Sequence, residues 1–310
     1  MGVLYWQLND IWAGYSWSGY DWGGRDKPLN YAIKRQFAPL VVQVVPDTKT
    51  GQLDVFYVSD EVADVADGRL KVTVRRVLGP TTEGRGGAGD DGAAAACATD
   101  ADAVAAEWEV AGVAINGSSA GRAWSKPLDE VLRAAPGCTP RNCYVTAELE
   151  ADYPEVGVAL PGGAVPEGAK RGRALAAEGE AWLAYWKDAE PAPAAGLRAS
   201  DFSQVSEREV AFVVRAEGGS TAPLVTLESP VPGRFSDSGF TLHAGAAGCA
   251  GRRVVFTADA PVSARALRDG LRLTSLAHHQ SWDRLLSSSG GKAAAEEEEA
   301  EAEAPSEGTL

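Results

Sequence analysis

The chain has 310 residues, 45% of them hydrophobic, and a formal net charge of -14, which allows about two globular domains with a sizeable core. Seven glutamates between Glu296 and Glu307 equal half of that charge, so much of the acidity belongs to an Ala/Glu run of the kind that stays solvated. No stretch approaches the roughly 18 apolar residues of a membrane span, and no basic stripe offers phosphate neutralisation to nucleic acid.

The first apolar run, Gly2 to Leu8, stops abruptly at Asn9-Asp10 and reads as a strand buried on both faces. A loop follows that carries Trp12, Trp17, Trp22 and several glycines. Pro28 suits the first turn of a helix, and Leu29, Ile33 and Phe37 recur every four residues as an apolar stripe, with Lys34 and Arg35 turned away. Pro39 ends it. Strand, loop and helix make one βα unit, which cannot bury its own faces alone.

From Leu40 the period changes to two. Leu53, Val55 and Tyr57 alternate with polar neighbours, as do Leu70, Val72 and Val74, and further alternating runs follow around Trp108–Ile115 and Tyr144–Leu149. Such alternation argues for an antiparallel β-sandwich over residues 40–190. Residues 79–105 and 151–173 hold no clear period and read as surface insertions. Pro191-Ala192-Pro193 marks a linker. Beyond it, runs at Val210–Val214, Leu224–Leu227, Phe240–Leu242, Val254–Phe256 and Leu271–Leu276 suggest a second, immunoglobulin-like sandwich over 191–280. Residues 281–310 read as a disordered Glu/Ala-rich tail.

Four cysteines are too few for a disulfide framework in a chain this long. Cys138 and Cys143 bracket a turn-like Thr-Pro-Arg-Asn, which leaves a local bridge and free thiols both open. Asn116-Gly117-Ser118 is a glycosylation sequon. There is no phosphate-binding glycine loop opening a helix and no nucleophile elbow, and the only histidines are His243, His278 and His279. No cofactor and no metal are expected.

An indole beside fixed polar groups at a strand end suits a sugar pocket. Trp6, Asn9, Asp10 and Trp17 are the residues such a pocket would draw on, a role that the family resemblance given below favours. Each has a plainer reading: Trp6 as a core aromatic, Asn9 and Asp10 as strand-terminating caps, Trp17 as packing against a neighbouring domain. Glycoside hydrolysis needs two carboxylates about 5 to 9.5 Å apart. Asp10, Asp21 and Asp26 share one loop that offers no scaffold for that separation, so no residue of this chain is assigned a catalytic role.

The run Gly2-Val3-Leu4-Tyr5-Trp6-Gln7-Leu8-Asn9-Asp10-Ile11-Trp12, then Ser16-Trp17-Ser18, Asp21, Gly24, Lys27 and Leu29-Asn30-Tyr31, resembles the last barrel strand and following loop of the β-mannosidases in glycoside hydrolase family 2. Gly233-Arg234-Phe235-Ser236-Asp237-Ser238-Gly239-Phe240-Thr241-Leu242 is similar to a segment of the final sandwich domain in the same family, although Ser238-Gly239 stands where relatives more often carry Asn and an aromatic. The resemblance implies a mainly β chain: the last βα unit of a (β/α)8 barrel at residues 1–39, two immunoglobulin-like β-sandwich domains, and the tail. It implies a retaining exo-glycosidase acting on terminal β-mannose, with two catalytic glutamates on earlier barrel strands. Met1 falls where the family often has a Met just before that last strand, so the chain is expected to be a C-terminal portion, inactive alone. A lysosomal, vacuolar or secreted setting goes with it, and the missing part of the barrel becomes a partner. Two other readings stand beside this one: a non-catalytic β-sandwich binding or adhesion protein, and another family 2 glycosidase such as a β-galactosidase or exo-glucosaminidase.

Overall fold

The computed structural model describes residues 4–14, 16–79, 99–154, 171–186, 188–190, 196–245 and 251–278. The expected tail at 281–310, and residues 80–98 and 155–170 of the two expected insertions, lie outside these.

Helix α1 (Pro28–Gln36) opens on its proline and closes with the Phe37 N–H on the Ile33 carbonyl. Then come β1 (Leu40–Asp47), β2 (Gln52–Ser59), β3 (Val65–Arg76), α2 (Asp100–Ala103), β4 (Val104–Ile115), β5 (Ser119–Pro127), α3 (Leu128–Arg133), β6 (Cys143–Pro154) and β7 (Arg171–Trp182). They form two antiparallel sheets, in the orders β1-β2-β5 and β4-β3-β6-β7. Leu53 and Val55 from one sheet and Leu70, Val72, Val74, Val145 and Leu149 from the other belong to one buried cluster. These are the alternating positions of their strands, as a sheet with one wet face requires. Trp108 of β4 packs on Trp124 of β5 with ring centroids 5.5 Å apart, linking the two sheets at one edge. At the other edge a Cβ on Gly179 of β7 would stand 2.4 Å from the Val42 carbonyl oxygen, so glycine lets β7 close onto β1.

The second unit contains β8 (Leu197–Gln204), β9 (Glu209–Ala216), β10 (Ala222–Glu228), β11 (Gly233–Phe235), β12 (Phe240–Leu242), β13 (Arg252–Ala258), α4 (Ala264–Gly270) and β14 (Arg272–Thr274). Its sheets run β11-β13-β9-β8 and β12-β10-β14. Phe212, Val225, Phe240, Val254, Phe256 and Leu267 fill the core between them. Phe202, Phe212, Phe235 and Phe256 continue as a file of rings with centroids 4.9 to 6.3 Å apart.

Several expectations change. Residues 4–8 form no strand, and Leu4, Trp6 and Leu8 are exposed. A strand flanked by no other strand has nothing to satisfy its backbone or cover its side chains. On α1 the expected stripe is not the buried face: Leu29 and Phe37 are exposed, and Tyr31 is buried instead. Lys34 and Arg35, expected to point away, reach residues 236–239 of the second unit. The 79–105 insertion ends earlier than its composition suggests, because Thr99 caps α2 in a reciprocal box with Asp102 and β4 begins at Val104. Likewise β6 and β7 run into the 151–173 stretch from both sides. Cys138 and Cys143 are bridged. No helix among the described residues is long and apolar enough to cross a membrane.

Candidate functional site

Backbone bonds fold the segment from Gln7 to Lys27 back on itself. The Gly19 N–H donates to the Gln7 carbonyl at 3.0 Å, Tyr20 to Leu8 at 3.0 Å, Asp10 to Tyr20 at 3.0 Å, and Lys27 to Gly19 at 2.8 Å. The loop is thereby tied to the start of α1. The peptide between Trp6 and Gln7 is cis.

Asp10 is the polar centre of this loop and is only 7% exposed. Its Oδ2 accepts from Lys27 Nζ at 2.6 Å, and its Oδ1 from the Ser16 hydroxyl. The same ammonium reaches Ser18 Oγ at 2.8 Å. These bonds, the Lys27 contact foremost, hold the Asp10 carboxyl at a pKa of about 2. An ionised carboxylate with both oxygens engaged is a fixed anchor and is poorly placed to donate a proton to a leaving group.

The other three candidates differ in kind. Asn9 is exposed and turns its amide onto the Asp10 carbonyl at 3.0 Å. Trp6 and Trp17 are 76% and 79% exposed, so neither packs in a core and both indole faces are open. Ile11, Trp12 and Trp22 are exposed as well. The structure thus gathers the four candidates on one loop, with Asp10 as the buried tie and the indoles outside.

A second polar centre, not foreseen from the sequence, lies where α1 meets both sandwiches. Asp237 accepts from Arg35 of α1 at 2.7 Å and from Arg252 of β13 at 2.7 Å. Arg252 also reaches Glu178 of β7 at 3.1 Å, and Glu180 accepts from Thr241 at 2.9 Å and from the Trp182 indole at 2.7 Å. Tyr144, fully buried, bonds through its hydroxyl to Nδ1 of His243 at 3.0 Å and stacks on Trp182. Burial, with Arg75 and Arg252 nearby, pushes the His243 pKa down to about 3. Of these groups Arg35, Glu178, Glu180, Thr241, His243 and Arg252 border a cavity of about 240 Å³. The one sequence signal was Glu178-Gly179-Glu180, two acids on the same face of a strand. Among the described residues no three His, Cys, Asp or Glu side chains gather as metal ligands.

Comparison with known proteins gives this arrangement its class. Residues 197–279 match the Ig-fold domain model of mannosidases. The chain is 30% identical to the β-mannosidase of Capra hircus over 278 residues, 89% of this chain and 26% of that protein. It is 27% identical to the Bos taurus β-mannosidase over a stretch of the same length. Among solved structures, the β-D-mannosidase of Dictyoglomus thermophilum superposes with a TM-score of 0.56 at 18% identity, over 87% of this chain and 26% of that one. The fold is mostly β with an Ig-like domain, and it matches part of a β-mannosidase chain. More particularly, the chain is homologous to the C-terminal part of the β-mannosidases. It spans about a quarter of the length of the curated relatives it matches over most of its own length.

Proposed function

We propose that these residues serve as the C-terminal part of a β-mannosidase-type exo-glycosidase, one that removes terminal non-reducing β-D-mannose from oligosaccharides with retention. The observation that carries this reading is the match of 89% of the chain to a protein of that name. On this reading residues 1–39 complete a barrel, 40–190 and 191–280 are two sandwich domains, and the exposed apolar side of residues 4–37 is covered by the rest of the barrel. Trp6 stacks on the sugar where the bond is cut, and Trp17 borders the leaving-group side. Asn9 bonds a hydroxyl or a neighbouring loop, and Asp10 braces the pocket wall. The acid and the nucleophile are two glutamates outside this chain, which alone is inactive. No cofactor takes part. The enzyme works in a lysosome or vacuole, or is secreted.

One observation favours a second reading, a non-catalytic sandwich protein: both buried core clusters are built entirely from Leu40 onward. A single assay separates the two. Protein captured from source cells with an antibody to residues 197–279 should hydrolyse an aryl β-mannoside faster than the β-galactoside or β-glucosaminide. Faster cleavage of either rival sugar would transfer the reading to another family 2 glycosidase, and no cleavage would favour the binding module.

A further inference from the structure

We propose that Asn116 carries an N-linked oligosaccharide. The chain has four asparagines, and only Asn116-Gly117-Ser118 forms a sequon. In the fold these three residues are the crossing between β4 and β5, from one sheet of the first sandwich to the other. Their backbone is fastened underneath. The Gly117 N–H donates to Asp64 Oδ1 at 2.8 Å and the Ser118 N–H to the Glu61 carbonyl at 2.7 Å. The middle residue sits so close to the 61–64 loop that a Cβ there would stand 2.3 Å from the Val62 carbonyl oxygen. Against this fixed base Asn116 is exposed, leaving its carboxamide nitrogen accessible to a large substituent without disturbing a packed surface.

Two independent features point the same way. Val62, beside the sequon, is 93% exposed, an apolar side chain that the face of a first N-acetylhexosamine would cover. The Cys138–Cys143 bridge belongs to an oxidising compartment, the setting in which such chains are added. The transfer balances simply. Asn116 Nδ2 attacks the anomeric carbon of an oligosaccharide held on a polyprenyl pyrophosphate. A C–N bond forms, the C–O bond to phosphate breaks, the pyrophosphate leaves with its electron pair, and the amide proton passes to a base.

This inference rests on the secretory or lysosomal reading, and two measurements on protein from source cells keep the two apart. Thiol alkylation before reduction reports whether Cys138 and Cys143 are bridged. Peptide N-glycosidase digestion in heavy-oxygen water reports whether Asn116 is converted to an aspartate that carries the label. A bridged pair with labelled aspartate at this position is the expected result. A bridged pair with unmodified Asn116, with unlabelled aspartate there, or with label that appears equally when the glycosidase is omitted (spontaneous Asn-Gly deamidation), overturns the glycan and leaves the compartment standing. Free thiols with unmodified Asn116 overturn both. In a secretory host, Asn116→Gln and Ser118→Ala should each abolish the enzyme-sensitive mobility shift while secretion continues, and a shift that persists in either variant would contradict the assignment.

Discussion

Lys27 lies 17 residues from Asp10 in sequence and 2.6 Å from it in space. Removing the ammonium, as in Lys27→Met, should let the Asp10 pKa rise from about 2 towards its ordinary 3.8, with the Ser16 and Ser18 hydroxyls still opposing the rise. Because the folded value is depressed, the stability tied to this carboxylate is present above pH 3.8 and lost as pH falls towards 2. A carboxyl chemical-shift titration checks it; an unchanged midpoint in the variant would exclude Lys27 as the cause. His243 acts in a higher window. Its folded value of about 3 lies below the ordinary 6.5, so the unfolded chain binds the extra proton between them. Stability therefore falls as pH drops below 6.5, by at most about 1.4 kcal/mol per unit. His243→Gln retains an acceptor for the Tyr144 hydroxyl and should flatten urea stability between pH 6.5 and about 4.5. At this scale the sequence marked Asp10, and Lys27 as part of the resemblance, but not their pairing, nor the roles of Tyr144 and His243. Their roles come from partners 17 and 99 residues away, which no local pattern encodes.

Among the elements, α1 is the informative one. Its existence was legible from Pro28 and the spacing of Leu29, Ile33 and Phe37; its orientation was not. An apolar stripe normally faces the nearest core, yet here the polar side docks, with Arg35 bonded to Asp237, Ser238 and Gly239. The Phe235–Phe240 segment is fastened to β10 by Ser238, whose Oγ accepts from the Leu227 N–H at 3.1 Å. It also supplies the one carboxylate that ties α1 and β13 together. Asp237→Ala leaves two half-buried guanidinium groups short of a partner and should cost about 2–3 kcal/mol. In a double-mutant cycle, Arg35→Ala and Asp237→Ala should couple by about 1 kcal/mol. Strict additivity would mean that the contact contributes nothing. The strands show the same division between existence and detail. Those with clean alternation, such as β2, β3 and β9, were legible. β8 was not, because it lies at the edge of its sheet and none of its residues is fully buried, so no period of two betrays it.

For the whole molecule, the two sandwiches close their own cores while the segment before them does not. Trp6, Ile11, Trp12, Trp17 and Trp22 are all more than 60% exposed, an apolar concentration that a finished surface rarely carries. The isolated chain should bind a hydrophobic dye strongly. Trp6→Ser combined with Trp17→Ser should reduce that binding with a change in folding stability within about 0.5 kcal/mol, as for exposed side chains generally. A large loss of stability instead would place these indoles in the fold's own packing. The most direct measurement is the size of the native product. An immunoblot of source cells with an antibody to residues 197–279 should give a band far above 32.4 kDa, since the relatives matched over most of this chain are roughly three times its length. A single band at 32.4 kDa would contradict the proposal that these sandwiches complete a longer glycosidase, and the binding-module reading would then lead.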